Sequence, residues 1–257
     1  MHFAFLGTSG AVPSLRRDNT SLVFAGGDES VLVDCGGSPI QKLLLAAVRP
    51  QSVMRVVITH LHVDHAYGLP SLVRGLALMS RRSALRINCR EEHAEPLRDL
   101  LRVFGILDRP DLFPLHWEPV PATPRAALGA TGPFVLSASP NAHGPMPNLA
   151  LRLDAAGAPS VVYSSDTEPC EAVVELARGA DTLIHEATYA EGDRSRHGVH
   201  STARQAGEIA ARAGVRRLIL THIDPAHHDA TAALADEAHR HFDGEVEIAE
   251  EFIPYPL

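Results

Sequence analysis

The sequence predicts a layered α/β domain, and three observations support this prediction. Short apolar runs rich in β-branched residues alternate with amphipathic helical stretches along the whole chain. No low-complexity linker and no fixed-period repeat divides the sequence. The 257 residues, of which 45% are hydrophobic, suffice for one large core. We therefore expect residues 1–257 to form a single domain, while periodicity alone leaves open whether it contains one sheet or two.

The first half of the chain predicts five strands and three helices. The strands are expected at residues 2–8, 20–27, 30–37, 53–60 and 84–89. The fourth of these, "VMRVVITH", is apolar almost throughout, which is typical of a strand buried on both faces. Helices are expected at 38–48, 71–80 and 91–105, the second opened by Pro70. Residues 110–133 are rich in proline and predict an irregular connection.

The second half has the same texture. Strands are expected at residues 133–140, 148–154, 160–166, 181–187, 216–222 and 245–250. The clearest helix covers residues 201–214, with Ser201 or Thr202 as its cap, an alanine-rich apolar stripe and Gly214 at its end. A last helix is expected over residues 230–242.

Composition argues against two classes of protein. The net charge of −8 is unusual for a general nucleic-acid binder, which neutralises phosphate with basic residues. Arg16-Arg17 and Arg81-Arg82 could form local basic patches, but solvated surface arginines are the favoured interpretation. No apolar run approaches the roughly 18 residues of a membrane helix. The three scattered cysteines resemble buried thiols of a reducing compartment, so we expect a cytoplasmic location.

Histidines and carboxylates follow four separate strands. His60 ends one strand, Asp166 and His222 end two others, and His143 follows a fourth by a few residues. The carboxyl ends of strands are where α/β proteins build their sites. A single histidine after a strand is more often a loop residue than a ligand. Four such residues together indicate a shared site.

The stretch "VVITHLHVDHAYGLP" has the densest group of possible metal ligands. His60 and His62 are two residues apart, so they point the same way in extended chain and can reach one ion. Asp64 and His65 lie where the chain must turn, and can face a second ion. Imidazole and carboxylate without thiolate suit zinc, with manganese or iron as alternatives. Two ions about 3.5–4 Å apart can clamp a phosphoryl or carbonyl centre, with Asp166 bridging them.

The segment "THLHVDH" is similar to the His-x-His-x-Asp-His signature of the metallo-β-lactamase superfamily. The resemblance extends over nearly the whole chain, because other motifs follow in the order that ribonuclease Z shows. These motifs are "FLGTSGAVPSLRRDNTSL", "VDCGG", "SSDT", "HEAT", "HSTARQAGEIA" and "LILTHI". The "HEAT" and "HST" elements are the more specific ones, and they resemble the ribonuclease Z and zinc phosphodiesterase branch.

The resemblance implies an αββα sandwich, with two mixed β-sheets flanked by helices, and two Zn²⁺ per chain. It implies that one zinc takes His60, His62 and His143, that the other takes Asp64, His65 and His222, and that Asp166 bridges them. Mn²⁺ or Fe²⁺ remain alternatives to zinc. Family members are often homodimers that act on phosphodiesters, so we expect a homodimer with a phosphodiester substrate, which could be a tRNA precursor.

The resemblance also implies roles for Glu186 in "HEAT" and His200 in "HST". His200 would contact the scissile phosphate and protonate the leaving oxygen, and Glu186 would orient it. Asp64 would accept a hydrogen bond from the attacking water activated by the metals. A salt bridge or cap is the alternative for Glu186, and helix capping is the alternative for His200.

Two departures bear on the substrate. Long bacterial ribonuclease Z has a projecting tRNA-gripping arm, but here only "AAGAPS", residues 155–160, joins the two corresponding strands. That length predicts a hairpin. The segment "IDPAHHD" after His222 also departs from the family pattern. A small phosphodiester is therefore a close second to tRNA. A carboxylic, sulfate or lactone ester hydrolase and a catalytically silent binding module are further hypotheses.

Two further groups of residues are possible contacts of phosphate or metal. The loop from Gly7 to Asn19 could contact phosphate through Ser9, Arg16 or Asn19, or pack below the site. We expect the remaining histidines to lie at the surface or in the core, and not in a second metal site. They are His2, His93, His116, His185, His197, His227, His228, His239 and His241.

Overall fold

The computed structural model describes residues 1–196 and 198–257, so His197 lies outside the described residues. In this part of the chain fourteen strands and seven α-helices are formed. The strands are β1 (His2–Gly7), β2 (Ser21–Gly26), β3 (Glu29–Val33), β4 (Val53–Val57), β5 (Leu85–Arg90), β6 (Leu115–Val120), β7 (Ala126–Thr131), β8 (Phe134–Pro140), β9 (Leu149–Ala155), β10 (Val161–Tyr163), β11 (Thr182–Glu186), β12 (Arg217–Thr221), β13 (Glu245–Ile248) and β14 (Tyr255–Pro256).

The helices connect the strands and flank them. They are α1 (Pro39–Leu45), α2 (Val63–Ala66), α3 (Leu69–Leu78), α4 (Glu91–Val103), α5 (Glu171–Ala177), α6 (Ala203–Ala213) and α7 (Thr231–His239). Short 3₁₀ turns occur at Pro50–Ser52, Glu191–Arg196 and Pro225–His227. None of the helices in the described ranges combines the length and apolarity needed to cross a membrane.

The strands form two seven-stranded mixed sheets. The first has the order β14-β1-β2-β3-β4-β5-β6, antiparallel up to β3 and parallel from β3 to β6. The second has the order β13-β12-β11-β10-β9-β8-β7. Its strands are parallel from β13 to β10 and antiparallel from β10 to β7. This arrangement answers the question of one sheet or two, and it confirms the two mixed sheets implied by the resemblance.

Three hydrophobic layers hold the sandwich together. Side chains such as Phe24 and Phe134 fill the space between the two sheets. Helices α1, α3 and α4 cover the outer face of the first sheet with residues such as Leu72 and Leu97. Helices α5, α6 and α7 cover the second sheet in the same way, with Ile209 of α6 buried there. The order of layers is therefore αββα.

Helix α6 shows why the sequence folds as predicted in this region. Of the two possible caps, Thr202 is the one used, because its hydroxyl accepts a hydrogen bond from the Gln205 backbone N–H. The Gln205 side chain accepts in return from the Thr202 N–H, completing a capping box. Gly214 ends the helix with φ of 69°, in the left-handed region that glycine adopts without strain.

The prediction of an irregular connection over residues 110–133 was wrong, because β6 and β7 lie there. Each is one of the two edge strands of its sheet. An edge strand tolerates Pro119, since it needs fewer backbone donors, and neither strand has the continuous β-branched run of an inner strand. The prediction that Arg81 is a solvated surface residue was also wrong. Arg81 is buried and donates to the carbonyls of Ser83 and Ala84.

The buried side chain of Arg55 on β4 ties the two sheets together. Its Nε donates to Thr131 Oγ1 on β7 of the second sheet at 2.7 Å. Its Nη1 donates to Asn88 on β5 and pairs with Glu118 on β6 at 3.0 Å. The Arg55 side chain is only 2% exposed, so removing its charge leaves the buried side chains of Thr131 and Asn88 without this donor.

We expect Arg55→Met to lower the free energy of unfolding by about 3 kcal/mol, because it strands hydrogen-bonding groups between the sheets. Urea denaturation of metal-free protein measures this. Arg49→Met is the matched control, since the Arg49–Asp28 pair spans 2.6 Å but is 70% and 94% exposed. The control should change stability by less than about 1 kcal/mol. Equal losses in both variants would contradict the bridging role of Arg55.

Candidate metal and phosphodiester site

The site lies where strands of both sheets end. His60 and His62 follow β4 of the first sheet. His143, Asp166 and His222 follow β8, β10 and β12 of the second sheet. The sandwich therefore brings the carboxyl ends of strands from both sheets together, and every residue of the predicted ligand set lies near these ends.

Three imidazoles and one carboxylate form the first ligand group. Ligand atoms of His60, His62, His143 and Asp166 all lie within 4.8 Å of one another. The nitrogen His62 Nδ1 is 3.0 Å from His60 Nε2 and 3.1 Å from His143 Nε2. Asp166 Oδ2 is 3.7 Å from His60 Nε2 and 3.9 Å from His143 Nε2. These atoms converge on one point from four directions.

The second group contains Asp64, His65 and His222, whose ligand atoms also lie within 4.8 Å of one another. Asp64 Oδ2 is 3.4 Å from His65 Nε2 and 3.8 Å from His222 Nε2. The same oxygen of Asp166 that faces the first group is 3.4 Å from His65 Nε2 and 3.1 Å from His222 Nε2. Asp166 therefore lies between the two groups.

A hydrogen bond on the far side of each ring orients four of the histidines. In each case Nδ1 lies within hydrogen-bond distance of an oxygen, which leaves Nε2 to point inward with a lone pair. The contacts are His60 to Thr59 Oγ1 (3.0 Å), His65 to Asp34 Oδ2 (2.8 Å), His143 to the Val199 carbonyl (2.9 Å) and His222 to Thr188 Oγ1 (2.9 Å).

This arrangement fits a pair of metal ions. Within the described chain, the buried atoms His65 Nε2, His222 Nε2 and Asp166 Oδ1 have no hydrogen-bond partner. Buried polar atoms without partners are costly, and inward lone pairs on neighbouring imidazoles repel one another. A divalent cation bound among Asp64, His65 and His222 would satisfy both imidazole nitrogens. The donor set of imidazole nitrogen and carboxylate oxygen, without thiolate, suits zinc.

The two carboxylates are held ionised. Burial opposes the charge of Asp64, but the nearby imidazoles of His222 and His65 outweigh it and lower the Asp64 pKa. Burial of Asp166 is likewise overcome by the same two histidines, so the Asp166 pKa falls well below its ordinary value. Both groups can therefore act as anionic ligands.

Strained backbone marks the edge on which the site is built. Asp34, Ser165 and His222 are not glycine, yet their φ angles are 60°, 54° and 57°. Each lies within two residues of the end of a strand, and Ser165 directly precedes Asp166. Left-handed backbone is unfavourable for such residues and is retained mainly where surrounding contacts enforce it. These turns aim the side chains into the site.

Glu186 and His200 form a pair beside the ligand groups. His200 Nδ1 donates to Glu186 Oε1 at 2.9 Å, and Glu186 is fully buried. Glu186 also accepts from the Thr167 N–H and from the Thr188 hydroxyl. Burial lowers the His200 pKa, but the charge and hydrogen bond of Glu186 outweigh it and raise that pKa. The His200 ring lies against His222, with ring centroids 5.3 Å apart.

An open cavity of about 370 Å³ gives access to the site. Its walls include His200, Asp64 and Tyr189, and residues 10–12. The loop between Gly7 and Asn19 reaches the cavity, but Ser9, Arg16 and Asn19 are not among the residues that line it. Residues 10–12 face the cavity, whereas Asn19 packs below it and donates to the carbonyls of Gly10 and Ala11. Exposed Arg16 pairs with Asp229 at 3.7 Å.

Sequence reasoning missed the residues that orient the ligands. Asp34, Thr59 and Thr188 had no assigned role, although Asp34 lies in "VDCGG" and Thr188 in "HEAT". Asn148, whose side chain donates to the Asp166 carbonyl at 2.7 Å, was missed as well. No possible metal-binding group among the described residues includes the histidines that were predicted to lie outside the site.

The chain has clear relatives among known proteins. Residues 29–223 match the beta-lactamase superfamily domain. The ribonuclease Z of Methanothermobacter thermautotrophicus is 33% identical over 87% of this chain and 86% of its own length. The ribonuclease Z of Haloarcula marismortui is 30% identical over 98% of this chain and 95% of its own length.

Solved structures share the fold over its full extent. The metallo-beta-lactamase fold protein YhfI from Bacillus subtilis is 27% identical, with a TM-score of 0.81 over 99% of this chain and 98% of that one. Human tRNase Z, short form, superposes with a TM-score of 0.80 over 100% of both chains at 24% identity. The chain belongs to the metallo-β-lactamase superfamily and, within it, to the ribonuclease Z branch of metal-dependent hydrolases.

Proposed function

We propose that this protein is a phosphodiesterase that cleaves tRNA precursors at their 3′ end. The observation that carries the proposal is the Glu186–His200 pair beside two converging ligand groups. That pair supplies a proton donor next to the site where a phosphoryl group would bind. The relatives named ribonuclease Z, which match most of the chain, support RNA as the substrate.

We further propose two Zn²⁺ as the resident ions. One would be held by His60, His62 and His143, and the other by Asp64, His65 and His222, with Asp166 shared between them. Bound in this way, the ions would neutralise charge on the phosphate and lower the pKa of an attacking water. The oriented Nε2 lone pairs and the ionised carboxylates support this assignment.

The residues of the chain would divide the remaining work. Asp64, ionised and facing the cavity, accepts a hydrogen bond from the attacking water and orients it toward phosphorus. The bond from phosphorus to the leaving oxygen breaks as the new oxygen–phosphorus bond forms. His200 donates its proton to the leaving oxygen, and Glu186 stabilises the protonated imidazole before transfer. The charge and hydrogen bond of Glu186 raise the His200 pKa, which favours the protonated imidazole.

We also propose that residues 1–257 act as one domain in a cytoplasmic homodimer. Helices α1 and α3 pack against each other. Helix α1 exposes Leu44 and Leu45 to solvent, and helix α3 exposes Leu78. Burial of these side chains against a second copy would remove apolar surface from water. All three cysteines are unpaired, which suits a reducing compartment.

A small phosphodiester is the second candidate substrate. Strands β9 and β10 pair directly as an antiparallel hairpin, so residues 156–160 form only a turn between them. There is thus no projecting arm at this point of the described chain to hold a tRNA. The net charge of −8 also favours a compact substrate over a polyanion.

We expect zinc-loaded protein to cleave both a tRNA precursor with a 3′ trailer and a generic bis-aryl phosphodiester. Asp64→Ala should lose both activities, which excludes a contaminating nuclease. Turnover of each substrate, measured side by side, decides the proposal. Cleavage of the small diester alone would contradict tRNA as substrate and favour the second candidate. Cleavage of neither by zinc-loaded protein would contradict phosphodiesterase activity itself.

We expect His200→Ala to lower kcat on RNA by about 10²–10³-fold, because an alkoxide leaving group needs a proton. The same variant should lose less than about tenfold on a diester with a nitrophenolate leaving group, which departs readily without one. The difference between substrates separates proton donation from a structural role. His116→Ala, which truncates an exposed histidine on edge strand β6, is the matched control and should keep both rates. Equal losses on both substrates would rule out His200 as the proton donor.

A further inference from the structure

A groove near the ligand groups has no role in the proposed chemistry. It has a volume of about 360 Å³ and lies between α3 and the turn that follows α4. Two aromatic rings, two arginines and three smaller residues line it; they are Tyr67, Pro70, Ser71, Arg74, Phe104, Ile106 and Arg109. The combination of aromatic and cationic side chains in one groove suggests a specific ligand chemistry.

Helix α2 connects the groove to the site. Helix α2 has Asp64 and His65 in it, and its first residue, Val63, lines the site cavity. The Tyr67 N–H donates to the Val63 carbonyl at 3.0 Å, so Tyr67 lies one helical turn further on. Residues at this spacing have Cβ atoms about 6 Å apart. The Tyr67 hydroxyl donates to Asn19 Oδ1 at 3.4 Å, beneath the loop that faces the cavity.

A rigid turn presents Phe104 to solvent. The Ile106 N–H donates to the Leu101 carbonyl, and the Gly105 N–H donates to the Arg102 carbonyl. Together with Gly105 at φ of 60°, these bonds form a Schellman turn at the end of α4. The turn buries Ile106 and leaves Phe104 65% exposed. Because Phe104 adds little to the core, its ring is available to a ligand.

The groove has an excess of positive charge. Arg74 Nη1 lies 2.8 Å from Asp111 Oδ2, and Arg109 Nε lies 3.2 Å from Asp111 Oδ1. Two guanidinium groups therefore share a single carboxylate, and Arg109 is 45% exposed. One unit of positive charge is left to attract an anion.

We propose that this groove binds the nucleoside and phosphate adjacent to the scissile phosphodiester of the substrate. The base would stack on Phe104 and Tyr67, and its phosphate would pair with Arg74 or Arg109. This inference rests on the proposed function, since it places a nucleotide chain across the ligand groups. The groove is local and mildly cationic, which allows a protein with net charge −8 to hold RNA at one position.

Binding to metal-free protein tests the groove apart from catalysis. The probe is a short fluorescein-labelled single-stranded oligoadenylate, titrated in EDTA so that it is not cleaved. Phe104→Ala should raise its Kd about tenfold, as expected for loss of one stacked base. Val103→Ala is the matched control, because Val103 is 80% exposed and does not line the groove. An unchanged Kd in Phe104→Ala would overturn the proposal.

Kinetics provide the second measurement. For zinc-loaded protein, the ratio of kcat/KM on oligoadenylate to kcat/KM on a methyl aryl phosphodiester should fall about tenfold in Phe104→Ala and stay constant in Val103→Ala. If wild-type protein cleaves neither diester, the proposed function fails; if it cleaves both and the ratio is constant, only the groove assignment fails. Analytical ultracentrifugation of Phe104→Ala completes the test. If this variant is a monomer where the wild type is a dimer, and its Kd for oligoadenylate is unchanged, the groove binds a second copy of the chain. That result would overturn the inference.

Discussion

Five imidazoles and two carboxylates converge at the edge of the sandwich, and hydrogen bonds behind four of the imidazoles keep those rings oriented. Asp34 illustrates the point, because one oxygen receives His65 Nδ1 while the carboxylate also binds the Thr59 hydroxyl and N–H. Without these outer partners the four rings could rotate away from the site, and their inward Nε2 lone pairs would no longer converge. The site therefore depends on residues that lie behind the ligand groups and are not part of them.

The fold supplies these partners by bringing two sheets to one edge. Strands of the first sheet deliver Asp34, His60 and His62, whereas strands of the second deliver Asp166 and His222. The Ser165 hydroxyl donates to Thr59 Oγ1 at 2.9 Å, so hydrogen bonds link the two sheets directly beneath the site. Left-handed backbone at this edge is the cost of turning side chains inward immediately after each strand. Interlocked contacts between the sheets hold these conformations in place.

The sequence predicted the ligand groups better than it predicted their support. His60, His62, Asp64 and His65 form a dense motif, so local spacing was sufficient to predict that they lie together. Asp34 and Thr188 act through contacts with residues 31 and 34 positions away, which no local pattern encodes. Edge strands β6 and β7 were missed because propensity there is weak, and pairing with a neighbouring strand decides their structure. Arg81 was misplaced because its carbonyl partners depend on tertiary folding.

We propose that two ions lie between these seven side chains and share Asp166. Anomalous diffraction at the zinc edge, from crystals of zinc-loaded protein, tests it most directly. We expect two peaks in the anomalous difference map, about 3.5–4 Å apart. One peak should lie among His60, His62 and His143, the other among Asp64, His65 and His222. A single peak, or a pair of peaks away from Asp166, would contradict it.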